Sequence, residues 1–171
     1  MSNYAFVERN DVEYPHTALK EVSFENKWLL IRPDGYIKVK GSHGQGYAWD
    51  GCSPKYYCWD ILLGTPDGVV DCETGKPVTY YASLVHDALY QFREGYKDKI
   101  TQKKVDELFF TELNKANFKL GLLYYLMARL FGGLYWNDYM KRNKKLKYIY
   151  PLLAGFLVWK ICRKVTSVFC R

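Results

Sequence analysis

A histidine, two carboxylates and a phenol are spaced so that they could carry out acid–base chemistry. His86 is followed directly by Asp87 and, four residues on, by Tyr90, while Asp106 lies further along the chain. On a helix, His86 and Tyr90 share one face, and Asp87 projects about 100° round from the histidine. A carboxylate beside an imidazole fixes its tautomer and raises its basicity. The four residues therefore predict a centre that could activate water.

Two predicted helices would bring these groups together. The first covers residues 79–94 and places His86 on its inward face, so we expect the imidazole to be at least partly buried. The second begins after Thr101, a good N-cap residue, and carries Asp106 at the border of its apolar stripe. Because only residues 95–100 separate the two helices, we expect them to pack antiparallel and to bring Asp106 toward His86. The stripe consists of Val105, Leu108, Phe109, Leu113 and Ala116.

Four blocks of the chain, in this order, resemble a family of phage and prophage proteins called domain of unknown function 1353. The resemblance extends over residues 28–136. The family pattern has an aromatic-x-x-Asp-Gly-x-Ser-x-Pro-like tract, an apolar-His-Asp-x-x-Tyr helix, an Asp-led helix and a helix ending in a phenylalanine–glycine turn. The corresponding blocks here are residues 47–54, 85–90, 105–109 and 128–132. The resemblance implies a phage-encoded protein but names no activity.

The His-Asp-x-x-Tyr block and the later aspartate also resemble the catalytic helix pair of phospholipases A2. The resemblance implies that His86 is the general base, that Asp106 orients it and that Tyr90 donates a supporting hydrogen bond. It also implies that Asp87 binds Ca²⁺, which would stabilise the negative charge developing on an ester oxygen. Ca²⁺ takes about six to eight oxygen ligands, so backbone carbonyls and water would supply the others. The implied activity is metal-assisted hydrolysis of an ester.

Two other interpretations of the same residues stay open. In the first, His86, Asp87 and Asp106 form a buried polar cluster that only holds two helices together, in a non-catalytic structural or host-interaction protein. In the second, His43, Asp50 and His86 bind Zn²⁺, because residues 43–50 are similar to the first metal motif of D-alanyl-D-alanine peptidases. That peptidase pattern places a glutamate where this chain has Ser83.

The tract around Asp50 favours a tight turn. Asp50 is followed by Gly51, and Ser53 by Pro54, and an aspartate in such a turn accepts hydrogen bonds from nearby backbone amides. The position of this tract in the phage-family pattern makes Asp50 and Ser53 candidates for lining the same cavity as His86. Asp50 would be a second metal ligand there. Ser53 is not expected to be a nucleophile, because it lacks the strand-to-helix elbow that exposes such serines.

Size and composition indicate one ordered domain. The chain has 171 residues, of which 49% are hydrophobic and 18% aromatic, which suffices for a single compact core. Its five cysteines are an odd number without metal-type spacing, which argues against a secreted disulfide scaffold. No signal peptide is evident at the N-terminus. We therefore expect a cytoplasmic location, in the host cell if the protein is phage-encoded.

The positive charge is concentrated in the C-terminal third. The net charge is +7, but residues 119–171 carry +10 and residues 1–118 carry −3. As a helix, residues 152–171 would combine a narrow basic stripe with a broad apolar face, a pattern typical of peripheral binding to anionic membranes. The uncharged run at residues 148–159 is too short to span a bilayer. We expect residues 141–171, from Lys141 to Arg171, to contact an anionic membrane surface or a partner protein.

Other partners are not indicated by the sequence. The aromatic residues recur at the spacing of a helical core and no recognisable nucleic-acid module is present, so we expect no specific nucleic-acid partner. Nothing in the sequence indicates the oligomeric state.

The N-terminal third reads as β-structure. Residues 28–31 and 36–40 flank the turn sequence at residues 32–35 and predict a hairpin. Together with the helices, this predicts an α+β fold in which a small N-terminal antiparallel sheet packs on three to four helices. We expect residues 1–137 to form this domain and residues 138–171 to form a basic linker and an amphipathic C-terminal helix.

Overall fold

The structure, a computed structural model, describes residues 6–16, 19–52, 56–58, 61–63 and 69–137. It has the predicted α+β fold, with the strands first and the helices after them. The strands are β1 (Phe6–Glu8), β2 (Asp11–Pro15), β3 (Phe24–Glu25), β4 (Leu29–Ile31), β5 (Tyr36–Lys40), β6 (Tyr47–Trp49), β7 (Tyr56–Cys58) and β8 (Ile61–Leu63). The helices are α1 (Tyr80–Gln91), α2 (Gln102–Lys115) and α3 (Gly121–Trp136), with a short 3₁₀ helix at Arg93–Gly95.

Antiparallel pairing joins the strands into three small sheets. The largest has the order β2-β5-β4-β3, while β1 pairs with β6 and β7 pairs with β8. The predicted hairpin is confirmed as β4 and β5, which pair Leu29 with Val39 and Ile31 with Ile37. Its turn includes Gly35 at a φ of 88°, a left-handed conformation that glycine adopts without strain. The β1–β6 pair joins Phe6 to Trp49 and so ties the start of the chain to the strand that reaches the site.

One hydrophobic core joins the four-stranded sheet to the helices. The inward-facing residues Leu29, Ile31, Ile37 and Val39 are completely buried, as alternation along β4 and β5 predicts. They belong to the same cluster as buried side chains of α1 and α2, including Leu84, Ala88, Leu89 and Val105. The sheet therefore packs against α1 and fixes the direction in which the polar face of this helix points.

Gly95 allows the connection between α1 and α2 to pass close to the sheet. A Cβ atom at this position would lie 1.9 Å from the ring of Phe24 in β3, so a larger residue would displace the ring or the chain. The Tyr96 hydroxyl donates a hydrogen bond to the carbonyl oxygen of Leu89, which turns the chain back along α1. Thr101 caps α2 as predicted, because its side chain accepts from the backbone N–H of Lys104.

α3 differs from the sequence expectation at its two glycines. The phage-family pattern places a turn after Phe131, yet the helix continues through Gly132 and Gly133 to Trp136. The physical reason lies in packing, because a Cβ atom on Gly132 would lie 2.2 Å from the Tyr90 hydroxyl oxygen. Gly132 therefore serves close contact between helices and does not end the helix. Among the described helices, none is both long enough and apolar enough to cross a membrane.

The predicted C-terminal helix and basic linker, residues 138–171, lie outside the described residues, as does Ser53.

Candidate functional site

α1 and α2 pack antiparallel and bring His86, Tyr90 and Asp106 together. His86 and Tyr90 are one helical turn apart on α1, and Asp106 lies in the second turn of α2. One carboxylate oxygen, Oδ1 of Asp106, accepts a hydrogen bond from the Tyr90 hydroxyl at 2.6 Å and lies 3.1 Å from Nε2 of His86. The predicted approach of Asp106 to His86 is therefore present in the structure.

Asp106 is more deeply buried than its helical position predicts. The sequence places it at the border of the apolar stripe of α2, but its side chain is 0% exposed. The burial is complete because α3 covers this side of α2. Arg129 of α3 lies with its guanidinium 3.1 Å from Oδ2 of Asp106. Gln102, one turn before Asp106 on α2, donates to the same oxygen at 3.0 Å.

Arg129 and Gln102 are members of this cluster that the sequence reasoning missed. Gln102 also lies 3.2 Å from the backbone oxygen of Ala128, so it links α2 to α3 directly. Two sequence signals could have identified them. Gln102 stands four residues before Asp106 and shares its helical face. Arg129 is the only charged residue of α3, within an otherwise apolar sequence. We define the five residues His86, Tyr90, Gln102, Asp106 and Arg129 as the Asp106 cluster.

The imidazole of His86 is held between two aromatic rings. The ring centroids of Tyr90 and Phe109 each lie 4.4 Å from that of His86. Because the Asp106 carboxylate can only accept hydrogen bonds, Nε2 of His86 must carry the proton that joins them. The neutral imidazole then has its lone pair on Nδ1, which lies 3.7 Å from Oδ1 of Asp87. The two nitrogens of His86 therefore face different surroundings.

The pKa of His86 is raised above its ordinary value. Burial opposes protonation of the ring, but the hydrogen bonds and charges of Asp106 and Asp87 outweigh it. The pKa of Tyr90 is also raised, first by burial and then by the negative charge of Asp106, so its hydroxyl remains a donor at all ordinary pH values. The cluster thus orients His86 and stabilises the imidazolium that forms when a general base takes up a proton.

A cavity of about 420 Å³ opens beside His86. Its walls come from the end of β6, from α1 and from α3, and the imidazole is 14% exposed at its edge. The lining contains two carboxylates and three other aromatic side chains besides Tyr90. The lining residues are Tyr47, Ala48, Trp49, Asp50, His86, Asp87, Tyr90, Gln91 and Tyr135. Asp50 and His86, which the sequence assigned to one cavity, therefore do line the same space.

Asp50 and Asp87 are the candidate cation ligands of this cavity. Asp87 is 34% exposed and Asp50 is exposed, so both carboxylates are open to water. Two carboxylates together with backbone oxygens and water fit a hard cation such as Ca²⁺. Within the described ranges, no group of three or more His, Cys, Asp or Glu side chains is arranged to hold a metal ion. Protein side chains would thus supply a minority of the ligands.

His43 is not gathered with Asp50 and His86 into a metal-ligating group in the described part of the chain. It lies exposed in the turn before β6, with its ring edge-on to Trp28 at 6.2 Å between centroids. A Zn²⁺ site requires its ligands at about 2 Å from one point, which this arrangement does not provide.

Comparison of the chain with protein-family models, curated proteins and solved structures finds no match.

Proposed function

We propose that the protein is a hydrolase that cleaves an ester bound in the cavity beside His86, with His86 as its general base. The observation that carries this proposal is that the two imidazole nitrogens have different surroundings. Nε2 is fixed on the buried Asp106, and Nδ1 lies on the side of Asp87, which lines the cavity. An oriented imidazole at the edge of a water-accessible space is the arrangement that general-base catalysis uses.

The proposed reaction moves one proton to His86 and back. Nδ1 takes a proton from a cavity water as the water oxygen attacks the ester carbonyl carbon, and the carbonyl electron pair moves onto its oxygen. When that pair returns, the bond to the alcohol oxygen breaks, and the leaving alkoxide takes the proton from His86. The negative charge of Asp106 stabilises the imidazolium between these steps, and the rings of Tyr90 and Phe109 keep it in place.

A Ca²⁺ ion bound by Asp87 and Asp50 would supply positive charge for the carbonyl oxygen. This assignment is supported by the exposed carboxylate of Asp50 and the half-buried carboxylate of Asp87 on the cavity wall, and by the sequence resemblance to phospholipases A2. The aromatic walls formed by Tyr47, Trp49 and Tyr135 suit an ester that carries an apolar group. We therefore propose a lipid or another ester with an apolar substituent as the substrate class.

Hydrolysis of a chromogenic short-chain ester, with and without Ca²⁺, tests the proposal. We expect His86→Gln and Asp87→Asn to lower the rate at least 100-fold, since general-base catalysis contributes about 10²–10⁴-fold. Asp98→Asn, which changes an exposed acid in the α1–α2 connection, serves as the matched control and should keep the full rate. Ca²⁺ binding is followed separately by tryptophan fluorescence, since one of the five tryptophans, Trp49, lies on the cavity wall. An undiminished rate in His86→Gln would refute the proposal.

A purely structural role for the cluster is the second candidate, and one observation favours it. Asp106 is completely buried and accepts hydrogen bonds from α1, from its own helix and from α3, so it joins all three helices. A scaffold of this kind predicts a large loss of stability in Asp106 variants and no ester cleavage in the native protein. Melting temperatures measured beside the rates separate the two functions, because His86→Gln should lower the rate far more than its loss of stability explains if His86 is catalytic.

A further inference from the structure

Gln91 brings a side-chain amide to the cavity beside His86, and the reaction proposed above does not use it. Among the described residues that line this cavity, only Gln91 carries such a group. It is the last residue of α1 and is exposed. Because Gln91 follows Asp87 by four residues, the two side chains lie about one turn apart on the same side of the helix. The base and the amide therefore reach one cavity from one rigid element.

A buried tyrosine of β6 holds this amide. The Tyr47 hydroxyl donates a hydrogen bond to Oε1 of Gln91 at 2.7 Å. This tyrosine is 3% exposed, and its ring centroid lies 6.2, 6.3 and 6.4 Å from those of Trp28, Trp49 and Phe92. A ring packed among three others has little freedom to move, so its hydroxyl gives the glutamine side chain a fixed point of attachment.

The hydrogen bond from Tyr47 leaves the amide nitrogen with two N–H groups to donate. Oε1 is occupied by the phenol, and Nε2 is the other branch of the amide. Among the described residues, none is recorded in a hydrogen bond with Nε2 of Gln91. A donor whose orientation is fixed before the reaction starts is the kind of group that stabilises negative charge developing on an oxygen atom.

We infer that Gln91 donates a hydrogen bond from Nε2 to the carbonyl oxygen of the bound ester, and that this bond strengthens as the oxygen becomes negatively charged. The inference rests on the proposed hydrolase function and adds a protein donor to the same site. An oxyanion has several lone pairs, so an N–H group and a Ca²⁺ ion can act on it together. Gln91 is then a catalytic residue, and Tyr47, which holds it, is a positioning residue.

The positions of the base and the amide on α1 suit an ester held between them. Nδ1 of His86 lies 3.7 Å from Oδ1 of Asp87, and Gln91 lies about one helical turn further on, a rise of about 5.4 Å. The attacking water needs a hydrogen bond of about 3 Å to Nδ1, and the carbonyl oxygen needs one of about 3 Å to Nε2. The long side chain of Gln91 covers the remaining distance, so one small ester can meet both groups.

The other role open to Gln91 is to satisfy the buried Tyr47 hydroxyl, and two substitutions separate the roles. In Gln91→Glu the new carboxylate still accepts the hydrogen bond from Tyr47 but has no N–H group, so only the donor is lost. In Gln91→Met both the donor and the acceptor are lost, and no charge is added. A catalytic donor predicts slow hydrolysis by both variants, whereas a purely structural partner predicts full activity in Gln91→Glu.

Steady-state hydrolysis of the chromogenic short-chain ester by the full chain, at saturating Ca²⁺, tests the inference. We expect Gln91→Glu and Gln91→Met to lower kcat about 10²–10³-fold, which is the usual loss when one oxyanion donor is removed. KM should change little, because the bond strengthens only as charge develops. Tyr47→Phe should lower kcat by a smaller factor, about tenfold, since it misplaces the donor without removing it. Gln45→Glu is the matched control, because it makes the same chemical change at an exposed residue outside the cavity lining.

The rates are compared at the high-pH plateau of each variant, because a new carboxylate near His86 raises the pKa of that ring. An undiminished kcat in Gln91→Glu, with His86→Gln inactive, refutes the inference and leaves the hydrolase function standing. The same holds if kcat in both variants falls only in proportion to the fraction of folded protein, measured by circular dichroism. A native protein that cleaves no ester refutes the hydrolase function and the role of Gln91 together.

Discussion

Replacement of Asp106 by asparagine is the most informative test of the Asp106 cluster. The side chain is fully buried and accepts four hydrogen bonds, from His86, Tyr90, Gln102 and Arg129. Asparagine keeps the side-chain volume but has only one acceptor oxygen. Its NH₂ group would face groups that are themselves hydrogen-bond donors. About two of the four hydrogen bonds are therefore lost, and Arg129 keeps its charge beside a neutral group.

The expected loss of unfolding free energy is about 3 kcal/mol. Breaking a buried ion pair typically costs about 3–5 kcal/mol, and we take the lower end because Arg129 is 32% exposed and water can reach it. For a protein of this size, such a loss lowers the melting temperature by roughly 10 °C. Thermal and urea unfolding followed by circular dichroism measure both quantities.

Glu107→Gln provides the matched control on the next residue of α2. Glu107 is 50% exposed and lies 3.6 Å from Lys103, which is 65% exposed, so this change should stay within about 0.5 kcal/mol of the native protein. The double variant with Arg129→Gln should lose less than the sum of the single losses, because the unpaired cation is then removed as well. If Asp106→Asn is as stable as Glu107→Gln, then Asp106 does not act as a buried charged centre, and the reasoning fails.

Three further predictions concern single contacts. Gly132→Ala should destabilise the protein by about 1–3 kcal/mol in urea unfolding despite the better helix propensity of alanine, since the new Cβ would lie 2.2 Å from the Tyr90 hydroxyl oxygen; a stabilised variant would contradict this packing. Thr101→Ala removes the cap of α2 and should cost about 1 kcal/mol, with Thr101→Ser as the control that retains it. Because folding raises the pKa of His86 above 6.5, its stabilising contribution is complete below that pH and disappears as the pH rises through the raised pKa. The stability difference between the native protein and His86→Gln should therefore shrink as the pH rises above 6.5, and a growing difference would reverse the assigned sign.

The sequence predicts the local elements because their signals lie within a few residues. Alternation at residues 36–40 and the turn at residues 32–35 determine the β4–β5 hairpin, and the hydroxyl of Thr101 marks the start of α2. The approach of Asp106 to His86 also follows from local information, because a short connection between two amphipathic helices leaves antiparallel packing as the main choice.

The long-range pairings have no such signal. Phe6 pairs with Trp49 across a separation that no period or turn residue encodes, and this pairing positions the strand that forms one wall of the cavity. The burial of Asp106 likewise depends on α3, which places Arg129 over it. From the sequence, Arg129 reads as an isolated charge in an apolar helix. Only the arrangement of three helices shows that the charge has a buried partner.

The presence of Arg129 also bears on whether the cluster can be structural and catalytic at once. A buried carboxylate with His86 as its only charged neighbour would hold that ring permanently protonated, and a permanently protonated ring cannot accept a proton. Here Arg129 already neutralises Asp106 through Oδ2, so His86 can satisfy Oδ1 with the Nε2 proton of its neutral form. The same bonds that hold the helices together therefore leave Nδ1 able to act as a base. Arg129→Gln should accordingly raise the pKa of His86, and an NMR titration of the ring that shows an unchanged or lowered pKa would exclude this role for Arg129.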